Sequence, residues 1–178
     1  MSTTKTPQIL DSSRLVEEEM VLGYKAEHFY PVRIGEVFNE RYKVVGKLGW
    51  GSASTVWLCR DLREEEEYVA LKIYINSSRV LRELDIYQRI NNTKSDHIGR
   101  QSIRKLVDSF EVRGPHGMHP CLIHQPLGNS LDELRVICSE RVFSSDLIRQ
   151  TLRPVLDGLQ FLHEEARIVH TGQTKSQN

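Results

Sequence analysis

An excess of charge of either sign is missing from this sequence: Lys and Arg together number 24, Asp and Glu also 24, and the formal net charge is zero. Nothing global therefore steers the chain toward nucleic acid or an anionic membrane surface, and neither is expected as a direct partner. Long hydrophobic runs are missing too. No stretch of about 18 apolar residues occurs, so no membrane-spanning helix is predicted. The opening MSTTKTPQILDSSRLVEEEM has no continuous apolar core and turns acidic, so neither a secretory leader nor a transit peptide is expected there. Cysteine is scarce: Cys59, Cys121 and Cys138 are odd in number and scattered, which suits reduced thiols inside a cell and a cytoplasmic or nuclear location. His116, His119, Cys121 and His124 lie close in sequence. Pro115, Gly117 and Pro120 make that stretch a turn entering a strand, where successive side chains point to opposite faces, so no metal site is expected.

What is present is a globular composition, 39% hydrophobic and 27% charged over 178 residues. Residues 1–23 read as a disordered polar tail and 24–42 as an ordered approach segment rich in aromatics and turn residues. Strands are predicted over 42–50 and 54–61 from alternating, β-branched patterns, and over 68–75 from an apolar run fit for burial on both faces except at Lys72. A helix is expected over 77–90, capped by Ser77 or Ser78. Two more strands follow over 103–112 and 120–127, joined by the loop RGPHGMH, and a short helix over 130–138. The longest helix spans 144–165, with Ser144 or Ser145 as cap, Asp146 near its positive end, and Pro154 placed to kink it. Leu147, Ile148, Leu152, Val155, Leu156, Leu159 and Leu162 form its apolar stripe. Three strands, one helix, two strands and then helices is an α+β order, not the alternation of a doubly wound sheet.

The chemistry sits in LGWGSASTV, residues 48–56. Gly49 and Gly51 have G-x-G spacing, with the small Ser54 where a third glycine could stand. In a dinucleotide-binding fold such glycines open a helix. Here they lead into a second alternating strand, so the loop is the tip of an antiparallel hairpin, where bare backbone N–H groups can approach phosphate oxygens. Lys72 follows in VALK, 21 residues after Gly51, in the middle of an apolar strand. A buried ammonium needs a partner. One is expected to be a ligand phosphate, the other an acid of the next helix, Glu83 or Asp85, with Glu83 near that helix's middle.

The combination of glycine hairpin, V-A-x-K, an acidic helix, two strands, a linker and a long helix resembles the small lobe of a eukaryotic protein kinase. The stretch YPVRIGEVFNERYKVVGKLGWGSASTVWLCRD, with DSFEVRGPHGMHPCLI and LRPVLDGLQFLH, is similar to the SR-protein kinases, Ser/Thr kinases that phosphorylate Arg/Ser-rich proteins. The resemblance covers residues 24 to about 171. It implies a five-stranded antiparallel sheet with one helix as small lobe (24–127), the start of a helical large lobe (128–171), and a non-matching tail (172–178). It further implies ATP, with Mg²⁺ beside it, held by Leu48, Gly49, Trp50, Gly51, Ser52, Ala53, Ser54, Thr55 and Val56. Lys72 would hold the α and β phosphates and Glu83 would fix Lys72, while HQPLGN (124–129) would be the hinge beside the adenine. Ala53 departs from the family, where an aromatic is usual at the loop tip.

The family's catalytic loop reads I-V-H-T-D. Here Ile168, Val169, His170 and Thr171 are followed by Gly172, and neither the later metal-binding Asn at its spacing nor a D-F-G is found. His170 thus marks the start of an interrupted catalytic loop. No catalytic residue and no metal ligand is expected, and the pattern breaks after Thr171 as a cut through a longer protein would leave it. The resulting expectation is an ATP-binding portion of an SR-protein-kinase-like serine/threonine kinase, catalytically incomplete as written. The alternative is a non-catalytic interaction module.

Overall fold

A computed structural model describes residues 15–64, 67–77, 81–138 and 142–169. The cap expected at Ser78 and everything expected of His170 to Asn178 lie outside the described residues. Six strands form one antiparallel sheet: β1 (Val37–Phe38), β2 (Tyr42–Gly51), β3 (Ser54–Asp61), β4 (Tyr68–Tyr74), β5 (Leu106–Gly114) and β6 (Gly117–His124), in the order β1-β2-β3-β4-β6-β5. Helix α1 (Leu81–Asn92) lies between β4 and β5, and α2 (Leu131–Ile137) and α3 (Ser145–Gln160) follow the sheet. No described helix is long and apolar enough to cross a membrane.

The expected five strands are thus six, because the two-residue β1 pairs with β2 at Val37–Lys43 and Phe38–Tyr42. The last two strands also shift. Residues 98–102 form a 3₁₀ turn and β5 begins only at Leu106. RGPHGMH is not a long loop: Gly114 pairs with Gly117, so Pro115 and His116 alone make a tight turn, with Gly117 at φ +145°. Pro120 is tolerated inside β6 because the pairing with β4 starts one residue later, at Cys121–Ile73, so no ladder bond to β4 loses its donor.

Cross-strand register sorts the side chains onto two faces. Trp50, Thr55, Ile73, Cys121 and Phe110 form one row. That face carries the main core of Phe38, Tyr42, Val44, Cys59, Val69, Leu71, Ile73, Cys121 and Ile123, covered by Tyr30 and Val32 of the approach segment. β4 is apolar on both faces because the other one is covered as well: Tyr74 and Leu122 pack against Leu84 and Tyr87 of α1 and against Leu106.

The residues before β1 are tied to the sheet in two places, and the first lies within the stretch expected to be a disordered tail, whose described part forms a 3₁₀ turn at Glu17–Met20. Lys47 of β2 lies 2.5 Å from a Glu17 carboxylate oxygen and 2.6 Å from one of Glu18, and 5.6 Å from the centre of the Trp57 ring. Asn76 donates through its side chain to the carbonyls of Glu27 and His116, and through its backbone to that of His28.

Helix α3 starts as its sequence dictates: the Ser144 hydroxyl accepts from the Leu147 N–H at 3.3 Å. It continues through Pro154 and ends in a wider π turn over Phe161–Glu165. Gly158 seats it on the 3₁₀ turn at 98–102, where Phe161 and Ala166 join Ile90 in a second core. The predicted apolar stripe is only partly used. Leu147, Leu159 and Leu162 turn inward, whereas Ile148, Leu152, Val155 and Leu156 are exposed.

Candidate functional site

The second face of the sheet collects the residues that the sequence singled out. Gly49, Val56, Lys72 and Leu122 form one cross-strand row, and Gly51, Ser54 and Tyr74 the next. The hairpin over them is short, with Ser52 and Ala53 making the turn between the paired Gly51 and Ser54. A register shift between Lys47 and Gly49 leaves Leu48 without a partner across the strand, and its side chain is half exposed.

The glycines are not demanded by the hairpin itself. Neither Gly49 nor Gly51 has a positive φ. A β-carbon at Gly49 would meet no atom within 4 Å, and one at Gly51 only Ser54, at 3.8 Å or beyond. Their missing side chains leave open space on the face that carries Lys72. The hairpin tip is fastened at its far side, since the Ile75 N–H donates to the Ala53 carbonyl at 3.0 Å.

Lys72 is paired as expected. Its Nζ lies 3.1 Å from Oε1 and 3.2 Å from Oε2 of Glu83. The pair is not sealed: 27% of the Lys72 side chain and 36% of the Glu83 side chain remain exposed. α1 is described from Leu81, so Glu83 stands in its first turn rather than near its middle, facing the sheet where β4 ends. Asp85, the other acid open to Lys72 on sequence alone, is exposed and makes no salt bridge among the described residues.

Not all of the predicted residues converge. Gly49, Gly51, Ser54, Val56, Lys72 and Glu83 share the open face. The side chains of Trp50 and Thr55 belong to the opposite row, and Thr55 Oγ1 accepts from the Trp57 ring N–H at 2.9 Å. One residue that sequence reasoning passed over belongs to the group. Tyr74 donates its hydroxyl to Glu83 Oε2, and its ring centre lies 4.5 Å from Lys72 Nζ. The available signal was its spacing, two residues beyond Lys72 on one strand and hence on the same face.

β6 ends in His124, which is buried and has Nδ1 3.1 Å from the Lys105 carbonyl, while the Gln125 carbonyl accepts from Arg104 at 2.9 Å. His119 is buried too, with Nδ1 2.9 Å from the Tyr74 carbonyl. Among the described residues, no three His, Cys, Asp or Glu side chains are grouped so as to hold a metal ion.

No protein-family model matches the chain. Individual relatives do. A serine/threonine protein kinase of Aspergillus fumigatus is 42% identical over 163 residues, covering 92% of this chain and 41% of that protein. The serine/threonine-protein kinase SRPK of Physarum polycephalum is 36% identical over 157 residues, 87% of this chain and 37% of that one. SRSF protein kinase 3 of Homo sapiens is 33% identical over 175 residues, 94% of this chain and 31% of that one. The chain thus spans 31% to 41% of the length of these relatives. Among solved structures, the kinase domain of PF14_0431 matches with a TM-score of 0.61 at 25% identity, over 79% of this chain and 40% of that one. Along the stretch it shares with them, this chain is a homologue of the serine/threonine protein kinases, the SRSF protein kinases among them, and has the fold of a kinase small lobe followed by part of a helical region.

Proposed function

We propose that this chain is the ATP-binding portion of an SR-protein-kinase-like serine/threonine kinase, whose parent reaction moves the γ-phosphate of ATP to a serine of an Arg/Ser-rich protein. The observation that carries this reading is the Lys72–Glu83 pair lying on the same face as two glycines whose side-chain positions are open. A polyphosphate fits there. Lys72 supplies a fixed, partly desolvated positive charge, stronger than one free in water. Gly49 and Gly51 let the hairpin backbone come close, and the half-buried Val56 offers an apolar surface on the same side of the sheet. Bound ATP would supply the transferable phosphoryl group; the chain's own residues bind and orient it.

The described residues do not fit a magnesium ion in the same way, since they bring no group of carboxylates together. Gly172 stands where the family motif has its aspartate, so positioning of the accepting hydroxyl is unprovided. We infer that phosphoryl transfer is lost in this sequence while nucleotide binding remains.

Thermal unfolding of the full chain with and without ATP tests the reading. A ligand present at about 100 times its Kd stabilises the folded state by about 2.7 kcal/mol. The expected result is a raised Tm with millimolar ATP that Lys72→Ala removes. An unchanged Tm would favour the second reading, a non-catalytic interaction module, for which the exposed Ile148, Leu152, Val155 and Leu156 of α3 speak. Phosphate transfer to an Arg/Ser peptide above background, abolished by Lys72→Ala, would overturn the inferred loss of activity.

A further inference from the structure

Tyr74 has no part in the function proposed above, yet it touches both members of the ion pair. It follows Lys72 by two residues on β4, so both side chains leave the strand on the α1 side. Its ring is buried, 6% exposed, between Leu122 of the sheet and Leu84 and Tyr87 of α1. Its hydroxyl donates to Glu83 Oε2, and Lys72 Nζ stands 4.5 Å from its ring centre. Burial, and after it the Glu83 carboxylate, push the phenol's pKa far up, so the hydroxyl keeps its proton at any working pH.

We propose that Tyr74 is a positioning residue for the nucleotide: its hydroxyl holds Glu83 in place while Lys72 turns its ammonium toward a phosphate. The proposal rests on the nucleotide reading and deepens it. An arriving phosphate competes with Glu83 for the N–H groups of Lys72. A carboxylate held by Lys72 alone would then be left partly desolvated without a full donor set, which is costly. It would swing into solvent, and α1, whose first turn carries it, would follow. With the Tyr74 hydroxyl, Glu83 retains a second donor from the sheet itself. The ring does a separate task. Its face lies beside the ammonium as a cation–π support that needs no hydroxyl. Phenylalanine at 74 would keep the packing and that support and remove only the donor.

The test is calorimetric titration of ATP into the full 178-residue chain as wild type, Tyr74→Phe, Glu83→Gln and the double variant, each checked for its fold by circular dichroism. Loss of a hydrogen bond to a charged group predicts about tenfold weaker ATP binding by Tyr74→Phe. Because the hydroxyl acts through Glu83, the double variant is expected to bind no more weakly than Glu83→Gln alone. A tyrosine that merely packs would leave the affinity of Tyr74→Phe at the wild-type value, and that result overturns the proposal while the nucleotide reading stands. Fully additive losses in the double variant also overturn it, since the hydroxyl would then act elsewhere. A wild type that does not bind ATP overturns both. A measurement on the wild type alone covers the case of a Phe variant that does not fold. With labelled tyrosine, the Tyr74 hydroxyl proton is expected to stay slowly exchanging in the ATP complex, and its rapid exchange there would refute the role.

Discussion

The carbonyl of Asp157 occupies the space that a side chain at Gly99 would need: a β-carbon on Gly99 would lie 1.8 Å from that oxygen. The 3₁₀ turn at 98–102 and helix α3 meet there backbone to backbone. Gly158 completes the contact from the other side, its would-be β-carbon 3.3 Å from Ser102 Cβ.

Gly99→Ala is therefore expected to be severe. Backbone atoms on both sides must move, and overpacking of this kind costs about 3 kcal/mol or more. Gly158→Ala meets two side-chain atoms at 3.3 and 3.4 Å and the Gly99 carbonyl only at an ordinary contact of 3.8 Å, and its gain in helix propensity of about 1 kcal/mol offsets much of that crowding. Urea unfolding followed by circular dichroism should separate the two: a large loss for the first and a change within about 1 kcal/mol for the second.

The buried pair Arg41–Asp61 predicts a second effect. Asp61 is 2% exposed and accepts from Arg41 Nε at 2.8 Å, from Arg41 Nη2 at 2.7 Å and from the Arg63 N–H at 3.0 Å. The Arg41 hydrogen bonds hold its carboxyl below the usual range against the opposing effect of burial. Asp61→Asn keeps the shape and leaves Arg41 without its counter-charge. Because Arg41 is still partly in water, the expected cost is about 2 kcal/mol, below the 3–5 of a sealed pair. The midpoint of urea unfolding checks it.

How much of this was legible beforehand follows from period and length. The strands of the hairpin at 42–61 alternate over eight residues or more, β4 is a continuous apolar run, and α3 carries a helical apolar stripe, so each announced itself. β1 has two residues and no period to read. The 3₁₀ turn at 98–102 is short and polar, so it passed for loop, and Ile103 looked like a strand start although it serves the second core beneath α3. Gly114, Pro115, His116 and Gly117 suggested a long break where two residues suffice to turn the chain. In the site, an acid of α1 as the partner of Lys72 was readable from residue types, but Glu83 and Asp85 both stayed open, and it was the family resemblance that singled out Glu83. Which predicted loop residues face Lys72 was not readable, because a bulge at Lys47–Gly49 resets the alternation. Tyr74 was hidden for another reason: its value depends on where α1 lands, and no strand pattern records that.

Acid should weaken the fold through His124. Burial lowers its pKa from the ordinary value of about 6.5, the Lys105 carbonyl acts against this, Arg104 and Lys72 add to the lowering, and Glu83 opposes it. The unfolded chain thus takes up the proton at higher pH than the folded one. The stabilisation is present above about pH 6.5 and is lost as pH falls from there through the folded value, at no more than about 1.4 kcal/mol per pH unit. Tm is expected to be lower at pH 5.5 than at 7.5, and His124→Asn, whose amide can still reach the Lys105 carbonyl, should flatten that difference.

Lys47 offers a test in salt. Glu18 is the more sheltered of its two partners, with 14% of its side chain exposed against 50% for Glu17. Lys47→Met is expected to cost about 1 kcal/mol, and the gap between variant and wild type should narrow in 1 M salt. Hydrogen exchange should rise in residues 15–22 while β4 keeps its protection.

The Ile75–Ala53 hydrogen bond joins the glycine hairpin to the end of β4, one residue before Asn76 and eight before Glu83. A flap stitched down at its tip cannot open independently of the strand it is sewn to. Lifting it must either break that bond or carry Ile75 along, so the covering loop and the strand that bears Lys72 are seamed together.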